Sequence, residues 1–97
     1  MTERPAKVER AVGPVLDAGD AGRSVVDAII SLNHGVQIVD RGSYLRVLVA
    51  NRCVLTREAL AQRMPALEWP GDLELVMPSF KGRLILTERS AVWEAEP

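Results

Sequence analysis

One amphipathic helix, stopped by a glycine and followed at once by strand-like segments, constrains this chain most. Val25, Val26, Ile29, Ile30 and Leu32 recur at helical spacing, while Arg23, Asp27 and Ser31 fall elsewhere on the wheel. The spacing predicts a helix that buries Val25, Val26, Ile29 and Ile30, with Asp20 as its N-cap. Gly35 in Asn33-His34-Gly35 is expected to end it in the left-handed conformation, with His34 beside the last carbonyls. Val36–Asp40 then reads as a strand, Arg41-Gly42-Ser43 as a turn, and Tyr44–Ala50, rich in apolar and β-branched residues, as the strongest strand. These strands offer a sheet to cover the helix's apolar stripe.

The flanking segments complete that sheet. Val12–Ala18 is a short strand, which Pro14 places at an edge or beside a bulge because proline cannot donate to a ladder. Cys53-Val54-Leu55 is another. Thr56 is expected to cap a helix over Arg57–Met64, with Ala59, Leu60 and Met64 inward and Pro65 ending it. Pro65–Gly71 reads as a loop, Leu73–Met77 as a strand and Pro78–Gly82 as a tight connection. Arg83–Leu86 and Ala91–Ala95 form a hairpin. The expected order is β-α-β-β-β-α-β-β-β, an α+β domain with two helices packed on a mainly antiparallel sheet. Residues 1–11 are polar and aperiodic and read as a flexible N-terminal tail; residues 12–97 form the single folded domain.

The side-chain inventory argues against chemistry of the chain's own. There is one histidine, His34, and one cysteine, Cys53. No CxxC, HxxxH or Glu-x-x-His pattern offers a zinc site, and no phosphate-binding glycine motif occurs. No cofactor is therefore expected, and Cys53, in an apolar run, reads as a small core residue. The 12 basic residues are balanced by 13 acidic ones, a net charge of −1, which disfavours nucleic-acid binding. The longest apolar run, Val47–Ala50, is far too short to span a membrane. A single cysteine excludes an internal disulfide, no secretory signal opens the chain, and the expectation is a cytoplasmic protein.

Several ordered segments carry a resemblance. They are Val12-Gly13-Pro14-Val15, Ala18-Gly19-Asp20, Asn33-His34-Gly35, Val39-Asp40-Arg41, Tyr44-Leu45-Arg46-Val47, Leu55–Leu60 and Met77-Pro78-Ser79-Phe80-Lys81-Gly82. The last fits a signature of the form (Leu/Met)-(Pro/Ala)-x-Phe-x-Gly. Over about residues 12 to 95 the chain resembles the effector (coupling, or regulatory) proteins of soluble bacterial multicomponent di-iron monooxygenases, those of toluene, phenol, alkene and methane hydroxylases. The toluene-monooxygenase type looks closest. His34 stands where proline is common in that family, and Lys81 where a small residue is common. The resemblance implies a cofactor-free, non-catalytic component that binds the di-iron hydroxylase (oxygenase) component. Electrons would come from a reductase, in many systems through a Rieske ferredoxin.

Such a protein acts through its exterior, so contact residues are sought among exposed aromatics, arginines and turn residues. The candidates are Asn33, His34, Tyr44, Arg46, Trp69, Phe80 and Lys81. Five of them have a purely structural reading as well: the helix end for His34, core packing for Phe80 and Trp69 (as for Trp93), and a half-buried strand pair for Tyr44 and Arg46. Gly82 reads as backbone geometry. Replacing Asn33 or Arg46 by alanine is expected to weaken partner binding with the fold intact. The rival reading is a small-molecule-binding regulatory module of the ACT type, in which Ala18–Gly22, between first strand and first helix, would be the ligand loop.

Overall fold

The computed structural model describes residues 10–96. It contains β1 (Ala11–Asp17), α1 (Asp20–Leu32), β2 (Gln37–Asp40), β3 (Tyr44–Ala50), β4 (Arg52–Thr56), α2 (Arg57–Ala61), α3 (Gly71–Val76), β5 (Ser79–Lys81), β6 (Arg83–Leu86) and β7 (Ser90–Glu94). The architecture is α+β, as expected. Its strands form two antiparallel sheets, a four-stranded one of order β2-β3-β1-β5 and a three-stranded one of order β4-β7-β6. The tail expected over 1–11 lies outside the described residues up to position 9. Ala11 itself is buried in β1.

The two sheets share one core. Along β3 the odd residues Leu45, Val47 and Val49 point inward, opposite Leu16 and Val12 of β1. From the second sheet Cys53, Leu55, Ala91 and Trp93 face the same core, and Val25, Val26, Ala28 and Ile29 of α1 fill it from the helix side. Leu60 of α2 and Leu73 of α3 close it. Each such fully buried aliphatic contributes about 1.5–3 kcal/mol from removal of apolar surface from water. Trp93 is fully buried, and its indole N–H has no hydrogen-bond partner among the described residues.

Several expectations change. Leu73–Met77 is not a strand: Gly71–Val76 is helical, and the strand of this region is Ser79–Lys81, inside the segment read as a connection. Five residues with apolar side chains at 73, 75, 76 and 77 fit a strand and a helical turn equally well. The bond from the Asp72 N–H to the Glu68 carbonyl, and the Asp72 carboxylate accepting from the Glu68 N–H, decide for the turn. Ile30 is not core, since α1 turns it outward at 49 % exposure. Gly19, not Asp20, is the N-cap; Asp20 begins the helix, where its charge suits the positive end of the dipole. The second helix stops at Ala61, three residues short of Met64.

Pro14 sits in an interior strand rather than at an edge. The ladder between β1 and β3 skips Gly13 and Pro14 and resumes in the same register at Val15. Gly13 there has φ +148°, and a Cβ on it would meet the Val47 carbonyl oxygen at 2.4 Å, so only glycine fits. The missing proline N–H therefore falls in a local break of the ladder. Thr56 caps α2 as expected, its hydroxyl accepting from the Ala59 N–H at 3.1 Å.

Candidate docking face

Register fixes which side chains share a face of the four-stranded sheet. On β3 the even residues Tyr44, Arg46 and Leu48 point away from the core. Val39 and Gln37 of β2 lie opposite Arg46 and Leu48. Val15 and Asp17 of β1 lie opposite Arg46 and Tyr44, and Ser79 and Lys81 of β5 continue the face across Val15 and Gly13. Val39, Arg46, Val15 and Ser79 thus form one row across four strands. Among the described residues no helix covers this side, and the half-buried Val15, Val39 and Leu48 do not belong to the core.

Of the seven residues expected to meet a partner, the sheet gathers Tyr44, Arg46 and Lys81 on this face, all exposed. None of the three side chains is hydrogen-bonded or ion-paired among the described residues, where the one salt bridge is Arg52–Glu94 at 3.4 Å. Phe80 pairs with Pro14, on the opposite side of the edge strand, and is 42 % exposed rather than packed in the core. Sequence reasoning missed Val15, Val39 and Leu48. Leu48 was within reach, two residues beyond Arg46 on a recognised strand, whereas Val15 and Val39 join the face only through strand pairing.

The other three candidates lie elsewhere. Asn33 is the C-cap of α1, and its amide is engaged inside the fold. Its Nδ2 donates to the Ile29 carbonyl at 2.7 Å and the Val54 carbonyl at 2.8 Å, and its Oδ1 accepts from the Val54 N–H at 2.9 Å. His34 follows it, exposed, and Gly35 takes the left-handed conformation at φ +66°. The Trp69 indole is half-buried against the core and donates to the Thr87 carbonyl at 2.9 Å, which ties the loop before α3 to the β6–β7 turn. Gly82, at φ +102°, carries the chain from the first sheet to the second; a Cβ there would meet Val12 at 2.7 Å and the Glu94 carbonyl oxygen at 2.8 Å.

The ACT-type ligand loop finds no support in its glycines. A Cβ on Gly22 would lie 1.7 Å from the Asp17 carbonyl oxygen, so this glycine lets α1 pack against the end of β1. Gly19 supplies the carbonyl that the Arg23 N–H bonds at 3.0 Å. Among the described residues, no group of His, Cys, Asp or Glu is placed to hold a metal ion, and no helix is long and apolar enough to cross a membrane. Burial pushes the Cys53 thiol up to about 12, which removes it from thiolate chemistry near neutrality.

Comparison with known proteins assigns this chain to a lineage. The model of the MmoB/DmpM family matches residues 10–94. The chain belongs to the MmoB/DmpM family. It is 37 % identical over 87 residues to the effector subunit of the alkene monooxygenase system of Xanthobacter autotrophicus (strain ATCC BAA-1158 / Py2), a match covering 88 % of this chain and 86 % of that one. Its fold is similar to that of a chain in the structure of a phenol hydroxylase–regulatory protein complex, with a TM-score of 0.79 at 15 % identity, covering 89 % of this chain and 98 % of that one. The family is the one the ordered motifs indicate. As a family member the chain is a regulatory component rather than the catalytic one of its system.

Proposed function

We propose that this MmoB/DmpM protein is the effector subunit of a multicomponent monooxygenase, docking on the di-iron hydroxylase component and coupling electron transfer and O₂ activation to hydrocarbon hydroxylation. The observation that carries the reading is the 37 % identity to an alkene monooxygenase effector across nearly the whole of both chains. The open face around Arg46 supports it, since a component without reactive groups acts through surface. The partner system includes a reductase, and a Rieske ferredoxin where one carries the electrons. The setting is the cytoplasm, and the toluene subtype rests on the sequence motifs alone.

The mechanism is a population shift. A hydroxylase with two conformations responds to an effector only as far as the effector binds one of them better. A hundredfold preference corresponds to about 2.7 kcal/mol of coupling. Linkage makes the effect mutual, so a change of state at the iron site alters effector affinity by the same factor.

The test is reconstitution of hydroxylase and its electron-transfer partners with and without this chain. Product formed per electron consumed should rise with added chain until it saturates, and the chain alone should turn nothing over. A hydroxylase that is fully coupled in its absence would refute the proposal.

A further inference from the structure

We infer that Arg46 is the seat of a carboxylate supplied by the hydroxylase, so that docking on this sheet face requires an acidic side chain at its centre. The inference rests on the effector reading above and adds the chemistry of the partner's surface. The four nearest neighbours of Arg46 on the face are Tyr44 and Leu48 along its own strand and Val39 and Val15 across the ladders, none of them Asp, Glu, Lys or Arg. The one acid on the described face, Asp17, lies opposite Tyr44, diagonal to Arg46, and no ion pair joins them. Such diagonal neighbours stand about 7–8 Å apart at Cα.

Among the described residues, therefore, no carboxylate pairs with the guanidinium, which is left to water and salt. A partner that covers the apolar residues around it also strips that water, and an unpaired buried charge is heavily disfavoured. A carboxylate in the opposing surface removes the penalty and matches the planar fork of the arginine. Charge across the face points the same way. Arg46 and Lys81 against Asp17 leave this face at about +1, in a chain whose net charge is −1. On the three-stranded sheet the corresponding row is Val54, Val92 and Ile85; Val92 at its centre is buried, and the Arg52–Glu94 pair that borders it already has matched charges.

The experiment titrates purified hydroxylase with the full chain and with Arg46→Gln and Arg46→Lys over a series of salt concentrations. Circular dichroism verifies that each variant is folded, as an exposed position allows. Arg46→Gln should raise the Kd about thirtyfold or more at low salt. Arg46→Lys should recover part of that loss, because it keeps the charge and loses the fork. Affinity of the unaltered chain should fall with salt more steeply than that of Arg46→Gln. Equal Kd and equal salt dependence for Arg46→Gln and the unaltered chain would overturn the carboxylate and leave the effector reading standing. A loss that lysine does not recover and salt does not modulate would overturn it too, in favour of stacking of the guanidinium on the partner. An unaltered chain with no affinity for any hydroxylase it is paired with would remove both.

Discussion

Asn33 holds the backbone of Val54 at both its donor and its acceptor, with the amide nitrogen 2.8 Å from the Val54 carbonyl oxygen and the amide oxygen 2.9 Å from the Val54 nitrogen. Val54 lies on β4, so the clasp joins the end of α1 to the three-stranded sheet across 21 residues of sequence. A side chain that looks like an exposed helix-end contact is a tertiary staple.

Asn33→Ala should therefore destabilise the fold by about 2–3 kcal/mol, since it leaves two partly buried backbone groups of Val54 without partners. Asn33→Asp should also destabilise, because a carboxylate would face the Ile29 and Val54 carbonyl oxygens. Urea unfolding reads both: the midpoint should fall with the slope unchanged. A midpoint equal to that of the unaltered chain would show that the clasp does not matter to stability. The expectation that Asn33→Ala leaves the fold intact gives way to the geometry.

The outer and inner halves of α1 separate cleanly at neighbouring isoleucines. Ile29 is fully buried and Ile30 is 49 % exposed. Ile29→Asp should unfold the domain by placing an unpaired charge in the core, while Ile30→Asp should change stability by no more than about 1 kcal/mol. Circular dichroism and thermal melting distinguish them, and similar melting of the two variants would contradict the orientation of the helix.

Glycine 22 gives a test of how closely α1 and β1 approach. In an open helix Gly→Ala is stabilising by about 0.5–1 kcal/mol. Here the added methyl would meet the Asp17 carbonyl oxygen at 1.7 Å, a backbone atom that cannot yield cheaply. Gly22→Ala should lower stability by about 2 kcal/mol or more. Gly19→Ala, with nothing within 4 Å of the new methyl, should stay within about 1 kcal/mol. Denaturant midpoints that rank the two the other way round would refute the packing.

What the sequence disclosed follows the range of the interaction responsible. The helix over 20–32 and the Thr56 cap rest on contacts within a few residues, and the strand over 44–50 carries a run of apolar and β-branched residues, so local pattern reports all three. The division into two sheets does not, because β1 pairs with β3 and β5, and β4 with β7, over separations that only loop closure and packing decide. The same limit splits the docking face. Tyr44 and Arg46 are visible as alternate residues of one strand, while Val15 and Val39 join them only once the ladders are in register. Asn33 and Trp69 show the converse error: polar and aromatic side chains near turns look free until distant backbone, at Val54 and Thr87, is found to accept from them.

Cys53 gives the pH-dependent prediction. The thiol is fully buried beside its cross-strand neighbour Trp93, and burial raises it from 9.0 to about 12. Above pH 9 the unfolded chain loses this proton and the folded chain keeps it, so the unfolded state binds fewer protons and stability falls with rising pH. The contribution is intact below pH 9 and is lost progressively towards pH 12. Cys53→Ala removes this component, and its stability should decline less steeply over that window than the unaltered chain's, with urea midpoints at each pH as the readout. At neutral pH an aromatic disulfide reagent should label Cys53 only as fast as the domain opens, and stimulation of the hydroxylase should survive Cys53→Ser. Immediate labelling of the folded chain would place the thiol at the surface, and loss of stimulation in a folded Cys53→Ser protein would give it a role in coupling.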